Sequence, residues 1–124
     1  MNTILWSCQV FLAIAFGYSG LCKATLSEET LVYKKGQTGV QGLPMPFTRF
    51  IGISEIAGAF GIWLPWALGI ARVLTPVTAV CFGIIMVFAA PIHFKRKEPR
   101  NVATNIILLI ISIFTAYERF MQLA

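Results

Sequence analysis

The 124-residue chain has few side chains able to do chemistry, and Lys23, Glu55, His93 and Asn105 stand out because each interrupts or ends a long apolar run. Glu55 lies within "GISEIAGAFGIW", residues 52–63. Ionisable groups at such positions are costly in a bilayer, so they are paired, used, or both. Two readings of Glu55 stay open: a structural ion pair, or a group that handles a ligand or a proton. Lys23 and His93 are the cations able to reach it. Lys23 equally suits a snorkelling anchor, and His93, beside "FKRK", suits an unengaged interfacial position. Asn105 has the chemistry of an interhelical hydrogen-bonder.

The elements that must position these residues are membrane spans. The chain is 57% hydrophobic and 12% charged, with a mean hydropathy of +0.77. So small a soluble domain cannot bury that much apolar surface. About 20 apolar residues cross a bilayer as a helix, and four such runs occur, at about 4–22, 50–68, 73–92 and 102–120. They are continuous rather than alternating, which excludes a β-barrel. The expected fold is therefore all-α: a single-domain integral membrane four-helix bundle over 1–124, up-down-up-down. A polar loop, 23–49, and a basic loop, 93–101, join its spans. Pro65 and Pro76 are expected to flank the turn between the second and third spans, and Pro91 and Pro99 to punctuate the third turn. The first run lacks the basic start and small-residue cleavage site of a signal peptide and reads as a span.

In such a bundle Lys23, Arg49, Glu55, His93, Asn101 and Asn105 meet at one end. Helical spacing also gives each a small-residue stripe. Gly52, Gly58 and Ala59 flank Glu55, while Ile53, Phe60 and Leu64 lie opposite. Ser19 and Gly20 precede Lys23. Gly83, Met86, Ala89 and Ala90 precede His93. Asn105 aligns with Asn101, Ser112 and Ala116. Small stripes are where membrane helices approach one another. The expectation is that Lys23, Glu55, His93 and Asn105 converge inside the bundle as a candidate ligand pocket.

Charge and tryptophan give an orientation. Of the ten basic residues, Arg72 and Arg119 are assigned to the face opposite the two basic loops. The positive-inside rule puts those loops in the cytoplasm and both termini outside. Trp6, Trp63 and Trp66 fall at the less basic face, as an aromatic belt does. The net charge of +5 thus belongs to membrane loops and does not imply nucleic acid.

Several chemistries find no support. Cys8 and Cys22 are roughly 21 Å apart along one helix, beyond disulfide reach. With no C-x-x-C, all three cysteines, Cys81 included, read as packing thiols. One histidine and no carboxylate cluster argue against a metal centre or haem. No phosphate-cradling glycine loop occurs, nor a transporter-like inverted repeat. In the first loop, Ser27 can cap a short turn through Glu28–Tyr33; the loop is either a lid over the polar end or a surface hairpin.

Taken together, "FGYSGLCK", "GLPMPFTRFIGISEIAGAFGIWLP" and "FAAPIHFKRKEP", followed by a final apolar helix, resemble the DoxX-like family of small four-helix membrane proteins over nearly the full length. The resemblance implies the fold. It also carries Lys23, Glu55 and His93 over as pocket residues, without catalytic roles. Some relatives are membrane subunits of a thiosulfate:quinone oxidoreductase, others accompany membrane redox complexes, and a distant animal relative assists receptor assembly. The implied function is an accessory or ligand-binding subunit linked to quinone or thiol redox chemistry. Its ligand would be a quinone or similar lipophile, and a membrane or redox protein partner, or a second copy, would complete it. The alternatives are a non-enzymatic assembly factor and, third, a small transporter.

Overall fold

The computed structural model of the chain describes residues 2–27 and 44–123. The proposed turn at 28–33 and most of the first loop lie outside the described residues.

Among the described residues, five helical elements make four spans. Helix α1 is Asn2–Thr25, α2 Met45–Gly61, α3 Leu64–Leu68, α4 Leu74–Lys95 and α5 Pro99–Leu123. Helices α2 and α3 form one span, Met45–Leu68, and all four spans are long and apolar enough to cross a membrane. There is no strand among the described residues. The protein is an all-α, four-helix membrane bundle with antiparallel neighbours.

The helix ends follow from local sequence. Proline in the first turn of α2 lacks only an N–H that would be unsatisfied there anyway. Between α2 and α3 the helix breaks at Ile62 and Trp63, and Pro65 sits in the first turn of α3. Gly69, at φ 70°, ends α3 in the left-handed conformation that costs glycine least. Pro91 departs from expectation. It lies inside α4, which continues to Lys95 rather than stopping near Ile92. Membrane helices accept interior proline where neighbours compensate for the lost backbone bond.

Packing divides the bundle into two hairpins. Helix α1 lies tightly along α2, and α4 along α5, while the seam between the hairpins is looser. Close approach of α1 and α2 depends on glycine. A Cβ on Gly52 would lie 2.7 Å from Ala24 N and 2.8 Å from Gly20 O, both backbone atoms that cannot move aside. At the centre, Phe16 of α1 stacks on Phe82 of α4, with ring centroids 3.8 Å apart and planes within 1°. Leu12, Ile62, Ala79, Met86 and Leu108 complete the core around that stack.

The anticipated stripes are buried or half-buried, Ser19, Gly58, Ala59, Ala90 and Asn101 being the half-buried members, and Leu64, expected on the outer side, is half-buried too. Gly52, Gly20, Gly83, Met86, Ala89, Asn105, Ser112 and Ala116 face inward. Ile53, Phe60 and many other large apolar residues face outward, where lipid covers them. The cysteines differ from the reading of three packing thiols. Cys22 is buried and Cys8 half-buried, but Cys81 is exposed on the outer face of α4.

Candidate functional site

All four candidate residues line one cavity of about 170 Å³ near the basic-loop end. Helix α1 supplies Ala15, Phe16, Ser19 and Lys23, and α2 supplies Glu55. Helix α4 supplies Met86, Ala89 and His93, and α5 supplies Thr104, Asn105 and Leu108. The cavity therefore lies in the seam between the hairpins, with an apolar floor at Phe16, Met86 and Leu108 and polar walls above.

On the α1–α2 wall, Lys23 Nζ donates to Glu55 Oε1 at 2.8 Å. Glu55 is fully buried and Lys23 nearly so. Removing both charges from water costs several kcal/mol per ion (about), offset only when the contact is close and the remaining atoms are satisfied. The Ser19 hydroxyl stands beside the carboxyl. Glu55 Oε2, however, has no hydrogen-bond partner. Arg49 Nη1 donates to the Lys23 carbonyl at 2.9 Å, tying the end of α1 to the start of α2. Lys23 is thus held from both its backbone and its ammonium.

On the α4–α5 wall, His93 has a carboxylate partner in the turn. Its Nδ1 pairs with Glu98 Oε1 at 2.9 Å, five residues on in the turn. A carboxylate can only accept, so the bridging proton belongs to Nδ1. Asn105, anticipated as an interhelical hydrogen-bonder, has its Nδ2 buried without a partner. The walls therefore present an unpaired acceptor, Glu55 Oε2, and an unpaired donor, Asn105 Nδ2, to the same space. Buried polar groups are nearly always satisfied, so this space suits a guest carrying both a donor and an acceptor.

The opposite end holds a second polar cluster that the sequence reading missed. Arg119 of α5 is fully buried rather than a plain residue of the less basic face. Its Nε and Nη2 donate to Gln9 Oε1 at 2.9 and 2.6 Å. Its Nη1 donates to Gln122 Oε1 at 2.6 Å and to Asn2 Oδ1 at 3.2 Å. Gln9 Nε2 in turn donates to the Ile62 carbonyl at 2.8 Å, where the helix has broken and that group needs a donor. The guanidinium lies 4.3 Å from the Trp66 ring centroid and 5.7 Å from that of Trp6, within cation–π range. One signal was available: Arg119 continues the Asn105–Ser112–Ala116 stripe one turn further.

Among the described residues, no group of three or more His, Cys, Asp or Glu side chains is placed to hold a metal ion. The family model for the DoxX-like family matches residues 7–115. That span includes Lys23, Glu55, His93 and Asn105, and the chain belongs to this family. No curated protein and no solved structure matches it.

Proposed function

We propose that this DoxX-like membrane protein is a ligand-binding accessory subunit whose seam cavity takes the polar head of a small planar lipophile of the quinone class. The observation that carries the reading is the pairing of Glu55 Oε2 and Asn105 Nδ2, both buried and unpartnered, on facing walls of one cavity. A dry cavity of roughly 150 Å³ holds a benzene ring, so about 170 Å³ suits one six-membered ring. A quinone carbonyl would accept from Asn105, and the hydroxyl of the reduced form would donate to Glu55. Phe16, Met86 and Leu108 would cover the ring face, and a tail would leave along the seam. His93 and Glu98 would join the cavity to the basic loop. Electrons would come from a membrane redox partner, and the subunit's own task would be to hold and orient the ligand. In this reading the basic loops are cytoplasmic and the termini outside, in the cell membrane.

The test is equilibrium binding of a short-chain quinol, kept reduced so that it has a hydroxyl to donate, to the purified protein in nanodiscs. Glu55→Gln keeps the shape but removes the charged acceptor, and binding should weaken about tenfold or more, as loss of a charge-assisted hydrogen bond requires. Unchanged binding would remove the site assignment.

A second reading, a non-enzymatic assembly factor, draws on the same pair. Lys23–Glu55 and Arg49–Lys23 staple α1 to α2 without any ligand. It requires a stoichiometric protein partner on gentle purification and full complementation by a Lys23→Ala, Glu55→Ala double variant. A transporter ranks third, since four helices would need an oligomer to enclose a path.

A further inference from the structure

The turn between α4 and α5 has a surface that the central cavity does not use. It carries Lys95, Arg96, Lys97 and Arg100 against one carboxylate, Glu98. That carboxylate is engaged within the turn: Oε1 pairs with His93 at 2.9 Å and Oε2 with Arg96 at 3.4 Å. The backbone closes tightly around it, with Lys97 N donating to the Phe94 carbonyl and Glu98 N to the His93 carbonyl, each at 3.1 Å. Lys95, Lys97 and Arg100 are exposed and have no carboxylate partner among the described residues.

Beside these cations lies an apolar crevice of about 650 Å³, walled by Phe94, Pro99, Val102, Ala103 and Ile106, with Lys95, Lys97 and the engaged Glu98 sharing its lining. Phe94 is 75% exposed and Ile106 48% exposed. They neighbour His93 and Asn105 in sequence, so the crevice sits where the apolar span meets the polar loop. A trough for hydrocarbon with exposed ammonium groups along it is complementary to one kind of molecule available at that depth.

We propose that this crevice seats one anionic phospholipid, with its phosphate on Lys95 and Lys97 and an acyl chain against Phe94, Val102, Ala103 and Ile106. Charge complementarity selects the anionic lipid, because a zwitterionic headgroup brings its own cation toward the lysines. Basic residues at a membrane boundary attract anionic lipid, and the apolar trough adds a seated chain to that attraction. The site is separate from the seam cavity, and its test contains no quinone, so either can fail alone.

Native mass spectrometry of the purified chain, titrated with phosphatidylglycerol or phosphatidylcholine, tests it. Phosphatidylglycerol should bind at least tenfold tighter. Lys95→Gln with Lys97→Gln should weaken it on the order of thirtyfold while leaving phosphatidylcholine unchanged. Lys34→Gln with Lys35→Gln removes equal charge from the other basic loop and should have less than about a threefold effect, because neither residue belongs to the segment from Phe94 to Ile106 that lines the crevice. Ala103→Trp keeps every charge, fills the trough, and should also release the lipid. Equal loss from both lysine pairs would overturn the proposal in favour of diffuse attraction. So would no preference between the two lipids, or full binding by Ala103→Trp.

Discussion

The two ends of the bundle solve the same problem differently. Each holds a buried cation contributed by a helix end: Lys23 at the basic-loop end, Arg119 at the other. Among the described residues Arg119 has no carboxylate partner, yet neutral oxygens of Gln9, Gln122 and Asn2 take its N–H groups and two tryptophan rings lie nearby. Lys23 has a full counter-charge in Glu55 but borders open space, and two polar atoms around that space lack partners. A filled, satisfied network rigidifies a fold. A half-satisfied one is costly unless something else completes it. The contrast separates a structural clamp from a candidate site more clearly than charge does, since by charge alone the Arg119 end is the stranger of the two.

The largest expected effect breaks the Lys23 end. Lys23→Met strands a buried carboxylate and should lower unfolding stability by about 3–5 kcal/mol. Adding Glu55→Leu should restore most of that loss, because an apolar pair often replaces a buried ion pair at little cost. Thermal unfolding of both variants in one detergent checks this. If the pair serves stability alone, the double variant will also retain binding of the reduced ligand.

Arg119→Met should cost about 2–3 kcal/mol, from lost charged hydrogen bonds and cation–π contact. The same unfolding measurement reads it. Quinone affinity in the folded fraction should not move, and a large loss of affinity would erase the distinction between the ends.

The smallest stability effect sharpens the comparison most. Asn105→Leu removes a buried donor that bonds to nothing, so unfolding stability should stay within about 1 kcal/mol of the parent. Quinone binding should nevertheless fall. A strong destabilisation would mean that Asn105 Nδ2 is satisfied in the folded protein, leaving the cavity no free donor for a guest.

Much of this was legible beforehand. Four apolar runs of bilayer length dictate four helices, because no other local structure satisfies their backbone in lipid. The small stripes beside Lys23, Glu55, His93 and Asn105 indicate which faces turn inward, and those faces are buried. Convergence at one end followed from depth and rotation together. The partners were not legible. Lys23 and His93 lie at similar depth, and only packing shows that Gly20 against Gly52 brings Lys23 to Glu55, while the tight turn after Lys95 gives His93 to Glu98.

The sequence by itself determined the helices, their inward faces and the depth of each polar group, because these depend on period and length along one chain. Tertiary structure decided which polar groups bond, which remain unpaired, and where space is left between the hairpins. It also decided that Arg119 lies inside. An arginine near the end of an apolar helix is written the same way whether it snorkels to water or folds under tryptophan. The difference comes from Gln9 and Trp66, which lie far from it in sequence and meet it only when the hairpins close.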